Sequence, residues 1–461
     1  MKHYISNETL DLSKLELIIN EDVKLEFSEE AVLNIERCYT YFSKKNTTSD
    51  TEVSYDLLRS YACGIGECLS DDIVKLMLLL KIQSLSFGFS GVRLSTVRRL
   101  LDFYNNGVYP ALYMQGSPDD RISLAHLSLP LVGEGEVRIG GKLYSACELE
   151  ELHGWKPLVL KEHEQHALLT GTQLTTAHAV HCLIKSLKIN DLADYIAASS
   201  ALIFKANAEP YSPQVHLVHP HKGQILTAQR MYQLLEGTDK KTKEYLPEAF
   251  TAIPQVHGAV KDAVAYVRKI IRTEVNSSTD NPLILPEHDQ IIYGGNSHTL
   301  PLSFGLDFLA IVMTGLGNIS ERRTFHLISN VNTAMQNNDK NLDLWVLQRM
   351  AEGISAQNRM LAMPASVENP MLVEKHTDTK GMGGSAAMKC YLLCQNIEHI
   401  LALELLAAYL LTEEPSLSHK NKDFLIYQLD EYFKNQKDKE FSLKKNIEKT
   451  IAFLRDFTVK A

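Results

Sequence analysis

Tyr109-Pro-Ala-Leu-Tyr-Met-Gln-Gly-Ser-Pro-Asp-Asp-Arg-Ile-Ser-Leu-Ala-His126 is the stretch on which the reading of this chain turns. At its centre stands Pro118. A proline has no side-chain hydroxyl to lose as water and no backbone N–H to act as a nucleophile. Any self-processing chemistry that needs either group at this position is excluded. Outward from this loop, apolar residues recur at three- and four-residue spacing in residues 73–82, 259–275 and 306–319, which predicts helices. Asp71 and Asp72 are the expected N-cap residues of the first. Strand-like runs are few: residues 15–19, 23–27 and 137–143, the last with Gly140-Gly141 as a hairpin turn.

Composition narrows the class. The chain has 461 residues, 45% of them hydrophobic, enough for a large core. A formal net charge of −9 argues against nucleic acid as a general partner. Seven cysteines, an odd number without metal-type spacing, suggest reduced thiols and a cytoplasmic protein. Cys390 and Cys394 stand one helical turn apart and read as packed neighbours rather than ligands. No signal peptide is expected from Met1-Lys-His-Tyr-Ile5, and residues 401–411 are too short an apolar run to span a bilayer. No membrane partner, no metal and no cofactor are expected.

Motifs in fixed order identify the scaffold. Leu57-Leu-Arg-Ser-Tyr-Ala-Cys-Gly-Ile-Gly-Glu67, Leu131-Val-Gly-Glu-Gly-Glu136 and Leu168-Leu-Thr-Gly-Thr-Gln173 flank the central loop. Pro254-Gln-Val-His-Gly258, Glu274-Val-Asn-Ser-Ser-Thr-Asp-Asn-Pro-Leu283 and Gly294-Gly-Asn-Ser-His298 follow, then Asn318-Ile-Ser-Glu-Arg-Arg323 and Pro364-Ala-Ser-Val367. The ordered set, which covers most of the chain, resembles the histidine and aromatic amino-acid ammonia-lyase family. The resemblance implies a mainly α fold: a long-helix bundle of the ammonia-lyase (fumarase/aspartase-like) type with a small α+β N-terminal part. It also implies a small-molecule substrate and a homotetramer with active sites shared between subunits. The expected organisation is an N-terminal domain over 1–190, a central bundle over 191–412 and peripheral C-terminal helices over 413–461.

Family members carry Ala-Ser-Gly in the central loop, which cyclises to an electrophilic imidazolone. Aligned without gaps to Leu124-Ala-His126, that triplet falls on Ser117, Pro118 and Asp119. With a one-residue slip, Ser117 becomes central and the nucleophile would be the missing N–H of Pro118. The chain thus resembles an ammonia-lyase without its electrophile.

Other site positions are kept or changed one by one. Ser60 is kept and the histidine beside it is Tyr61, at the pair that in this family chooses the substrate ring. Asn281 and Asn296 lie in retained motifs, as do Gln255 and Asp280. The plain reading of Asp280-Asn-Pro282 is a helix-terminating turn. The family's catalytic-tyrosine loop is absent. Tyr39 or Tyr41 could stand in, against the plain reading of ordinary helix-face aromatics. The next family tyrosine aligns with Glu248, the carboxylate-binding arginine with Thr251, a glutamate with Thr377 and an apolar residue with Lys380. His163/His166 and His178/His181, each at i,i+3, read as surface or core histidines rather than ligands. Gly381-Met-Gly-Gly384 reads as a helix start rather than a phosphate cradle.

Three functions remain open. The first is an imidazolone-independent carbon–nitrogen lyase acting on a substrate with a good leaving group, an ergothioneine-like betaine. Lys380, Tyr61 and Glu248 would do its acid–base work, and Ser60, Asn281, Asn296 and Thr251 would line the substrate. The second is an isomerase or dehydratase acting on an unsaturated or carrier-bound acyl chain. The third is a non-catalytic homologue that serves as an assembly partner.

Overall fold

The computed structural model describes the chain except residues 22, 47–53, 117–118, 238–244, 331–342, 369–378, 413–423, 437–441 and 458–461. Pro118 and Thr377 therefore lie outside the described residues. The fold is mainly α, with short strands in two- and three-stranded sheets. The chain forms two compact units, one of residues 1–181, 268–306 and 364–388, the other of residues 182–267, 307–363 and 389–461.

The first unit holds the strands. Lys2–Ile5 pairs in parallel with Lys24–Phe27, and Glu136–Ile139 with Lys142–Ser145 as a hairpin turning at Gly140-Gly141. The helix Asp71–Ser86 is its central support. Side chains are buried all round it, including Lys81 and Gln83, so it packs on every side rather than along one stripe.

Two local expectations are corrected. Residues 15–19 are not a strand but part of the helix Leu12–Asn20. Asp11 caps it by accepting from the Lys14 amide, and Leu15 and Ile18, three apart, are both buried on one face. Asp71 and Asp72 are not caps. Ser70 takes that position, and the two acids sit in the first turn, where they favour the positive end of the helix dipole.

The long predicted helices are present as Ile253–Val275 and Leu300–Ser329. Leu300–Ser329 and Gly383–Leu410 are long and apolar enough to cross a bilayer, but their most apolar windows are 61% and 72% buried within the protein. They are core helices. The second unit is organised around polar groups inside its core. Glu404 accepts from Ser200 and Arg323 Nε on one oxygen, and from Ser320 and Arg323 Nη2 on the other, at 2.6–2.9 Å. Asp194, fully buried, is bonded by His257, Lys261 and Arg230 at 2.9–3.0 Å. Beyond the main bundle, Leu425–Asn435 and Leu443–Asp456 are the described C-terminal helices.

Candidate active site

A two-stranded sheet brings Ser60 and Tyr61 to the central loop. Ile65–Cys68 pairs antiparallel with Tyr113–Gln115, the strand that leads into residues 116–120. His126 fastens the same corner, its Nε2 accepting from the Gly64 amide at 3.0 Å. Burial lowers the His126 pKa, which keeps the ring neutral and its nitrogen free to accept. The helix Asp56–Tyr61 therefore ends beside the start of the helix Arg121–Ser128.

Around that corner runs a chain of polar groups. Lys380 Nζ lies 3.0 Å from Asp119 Oδ2. Asp119 Oδ1 accepts from the Arg121 amide at 3.1 Å. The Arg121 guanidinium reaches back to the Tyr61 hydroxyl, Nη1 to Oη 3.3 Å, with its carbon 5.9 Å from the Tyr61 ring centre. Two expected site residues, Lys380 and Tyr61, are thus joined through two that were not singled out from the sequence. The signal for those two was present: Asp119 and Arg121 are ionisable residues on either side of Asp120, in the loop at the centre of the family resemblance.

Beneath the loop the groups are buried. Asp120 accepts from the Thr175 hydroxyl at 2.6 Å and the Thr175 amide at 3.0 Å. Burial pushes its carboxyl up to about 7 against those bonds. Lys81 donates to the carbonyls of Ala167 and Thr170 at 2.8 and 2.7 Å. Burial pushes its ammonium down to about 8, with Asp280 and Asp120 opposing that shift. Asp280 accepts from Ser90 and Ser278. It is a buried anchor of the turn, as the plain reading has it, and the Asn281–Pro282 bond that follows is cis.

The other expected residues distribute as follows. Asn281 Oδ1 accepts from the Gly294 amide at 3.0 Å, so its carbonyl holds the Gly294-Gly-Asn296 loop while its NH₂ faces outward from that bond. Asn296 is exposed on the same loop. The Ser60 hydroxyl donates to the Leu57 carbonyl at 2.8 Å within its own helix. Glu248 and Thr251 begin and end a short helix in the second unit, with Glu248 exposed. Tyr39 and Tyr41 are on the helix Glu29–Lys45.

The glycine group is a helix start. The Gly383 amide donates to Thr299 Oγ1 at 3.1 Å, and a Cβ at Gly383 would come within 2.6 Å of Thr299. That close approach, not a phosphate, accounts for the glycine.

Pro118 supplies neither a hydroxyl to lose nor an amide N–H, the groups from which an imidazolone is built. The sequence places proline at the residue that must dehydrate. The third position, glycine in the family, carries the Asp119 carboxylate that pairs with Lys380.

Comparisons with known proteins agree on the scaffold. Residues 37–415 match the family described as aromatic amino acid lyase. A histidine ammonia-lyase of Alkaliphilus oremlandii is 36% identical over 374 residues, covering 78% of this chain and 74% of that protein. The histidine ammonia-lyase of Shouchella clausii is 34% identical over 444 residues, 88% of each. Among solved structures, histidine ammonia-lyase from Trypanosoma cruzi matches with a TM-score of 0.89 at 29% identity, over 99% of this chain and 93% of that one. The ergothioneine-degrading ergothionase from Treponema denticola matches with a TM-score of 0.86 at 20% identity, over 99% of both chains, a likeness of fold alone.

Proposed function

The chain belongs to the aromatic amino acid lyase family, and from that premise we propose that it is a carbon–nitrogen lyase that works without an imidazolone, releasing a tertiary amine from an imidazole-type betaine. The observation that carries the reading is the Lys380–Asp119 ion pair at the loop where the electrophile would be built. Two charged groups stand at positions that are neutral in the family.

The chemistry explains why an electrophile can be dispensed with. An amino group is a poor leaving group and a β-proton next to an imidazole is barely acidic. A trimethylammonium group leaves without prior activation. A thioimidazole ring, as in ergothioneine, delocalises charge as the β-proton departs. In the proposed elimination one acid–base group of the site takes the proton from Cβ, the Cβ–H electron pair forms the Cα=Cβ double bond, and the Cα–N bond breaks so that its pair leaves on trimethylamine.

Lys380 is the leading acid–base group, donating to the ring as negative charge develops there. Tyr61 is the ring contact or proton donor. Its oxygen already accepts from Arg121, which leaves its own proton for a ligand. Glu248 is a further acid–base candidate, and Ser60, Asn281 and Asn296 orient the substrate by hydrogen bonds. Thr251 leaves the family's carboxylate position without an arginine, and Arg121 supplies a replacement. Among the described residues its guanidinium has no carboxylate within ion-pair distance, so its fork is available to a substrate carboxylate.

The proposal includes a homotetramer with shared sites and a cytoplasmic location. Phe304, Phe308 and Ile311, spaced four and three apart on Leu300–Ser329, are 54%, 39% and 46% exposed, and Tyr266 stacks edge-on against Phe308. Such an apolar stripe supports burial against other copies.

The test is trimethylamine release from ergothioneine by the purified chain, with histidine and tyrosine as substrates expected to be inert. Binding and turnover of an unsaturated acyl chain instead would favour the isomerase or dehydratase reading, which the loss of arginine at Thr251 also supports.

A further inference from the structure

Cys182 and Ser186 are four apart on the helix Gln173–Phe204, and Cys390 and Cys394 are four apart on the helix Gly383–Leu410. Residues four apart share a helix face. The two pairs face each other within the second unit. The sulfurs of Cys182, Cys390 and Cys394 lie within 4.8 Å of one another, and Ser186 Oγ is 3.5 Å from Cys394 Sγ. All four residues are fully buried, with Leu183, Leu393 and Ile397 buried beside them.

We propose that this cluster is a binding site for one soft, thiophilic cation of the Zn²⁺ or Cu⁺ type, held by the three thiolates with the Ser186 hydroxyl at the fourth corner. Paired donors at i,i+4 on facing helices are a recurrent way for helical bundles to build metal sites. Three sulfurs and one weak oxygen donor select a thiophilic ion over a hard one. A metal–sulfur bond of about 2.3 Å places tetrahedral ligands a little under 4 Å apart. The cluster needs to contract by up to about an ångström to meet this.

Charge is consistent with the site. Three thiolates around a divalent ion leave a net charge of −1, and Lys185, between Cys182 and Ser186 and paired with Glu398 at 3.1 Å, lies next to them. Its field acts on both Cys182 and Cys394. Cys390 and Cys394 alone look like packing neighbours. The third sulfur, from a helix about two hundred residues away in sequence, turns a pair into a chelate.

The test uses the full chain with Cys63, Cys68 and Cys147, the more accessible thiols, replaced by alanine so that they cannot contribute. The reduced protein is loaded with Cd²⁺ or Cu⁺, both as the folded chain and during refolding, so that burial cannot prevent entry. The expected result is one tightly held equivalent by elemental analysis, a thiolate-to-cadmium absorption band and a higher melting temperature. Replacing Cys182, Cys390 and Cys394 with alanine as well removes all three, with circular dichroism checking the fold. A second variant, Cys390→Ser alone, weakens binding with a smaller packing change. Absence of the band under both loading conditions would overturn the proposal. So would unchanged binding in the alanine variant, or a disulfide within the cluster in the protein as isolated under reducing conditions.

Discussion

Arg323 and Glu404 in the second unit are both completely buried, and each carboxylate oxygen of Glu404 is taken twice, by arginine and by serine. Lys380 and Asp119 in the first unit keep 14% and 29% of their side-chain surface exposed, on an irregular segment beside a loop. The same pairing of cation and carboxylate occurs in two settings. The buried pair is saturated, so it fixes helices and leaves nothing for a ligand. The Lys380–Asp119 pair keeps part of its side-chain surface open to solvent, where a ligand could reach it. Depth, rather than residue type, distinguishes the two pairs.

The comparison is sharpest for Lys380→Met. Turnover of the betaine should fall by about 10²–10⁴-fold, the usual range for losing a general acid or base. Stability should change by no more than about 1 kcal/mol, as for a partly exposed ion pair. Full activity would remove Lys380 from the site. In the second unit, Arg323→Met strands a buried carboxylate and should cost on the order of 3–5 kcal/mol in denaturant unfolding. Any activity loss should follow the unfolded fraction. An Arg323→Met protein that is stable but inactive would erase the distinction drawn above.

A pH profile separates the regions further. Burial pushes His257 down to about 4, so the folded state keeps it neutral while the unfolded chain takes up a proton near 6.5. Its stabilising contribution is therefore present above 6.5 and lost as pH falls toward 4. Asp194 behaves alike at lower pH. Burial raises it, but the charge of Lys261 and the bond from His257 hold it down to about 2. That stability is present above the unfolded value of 3.8 and lost as pH falls through 2. The expected result is a loss on the order of a few kcal/mol between pH 6.5 and 4, with a flatter slope in His257→Gln. The smallest effect expected is at Arg121→Leu. Losing a charged hydrogen bond of about 1.5–3 kcal/mol should raise KM for a carboxylate substrate roughly 10- to 100-fold, with kcat less affected.

The long helices were legible in the sequence because burial along one face repeats at helical spacing, as in residues 259–275. Residues 15–19 were misread because a short apolar run with two isoleucines suits either state, and the Asp11 cap that decides it lies outside the run. At the site, the proline at 118 is a matter of sequence alone, whereas the ion pair and hydrogen bonds beside it are not. Asp119 and Arg121 acquire meaning only once the strand Tyr113–Gln115 pairs with Ile65–Cys68 and brings Tyr61 within reach. Glu248 and Lys380 were grouped by resemblance, and they fall in different units. Cys182 could not be joined to Cys390 and Cys394 from spacing, because that contact is purely tertiary.

The central claim is that charged groups stand where the family builds an imidazolone. The intact mass of the purified chain tests it most directly. The account predicts the mass of the unmodified sequence, 51.9 kDa, to within instrument accuracy. A mass lower by two waters, the deficit left by dehydration and ring closure, would contradict it.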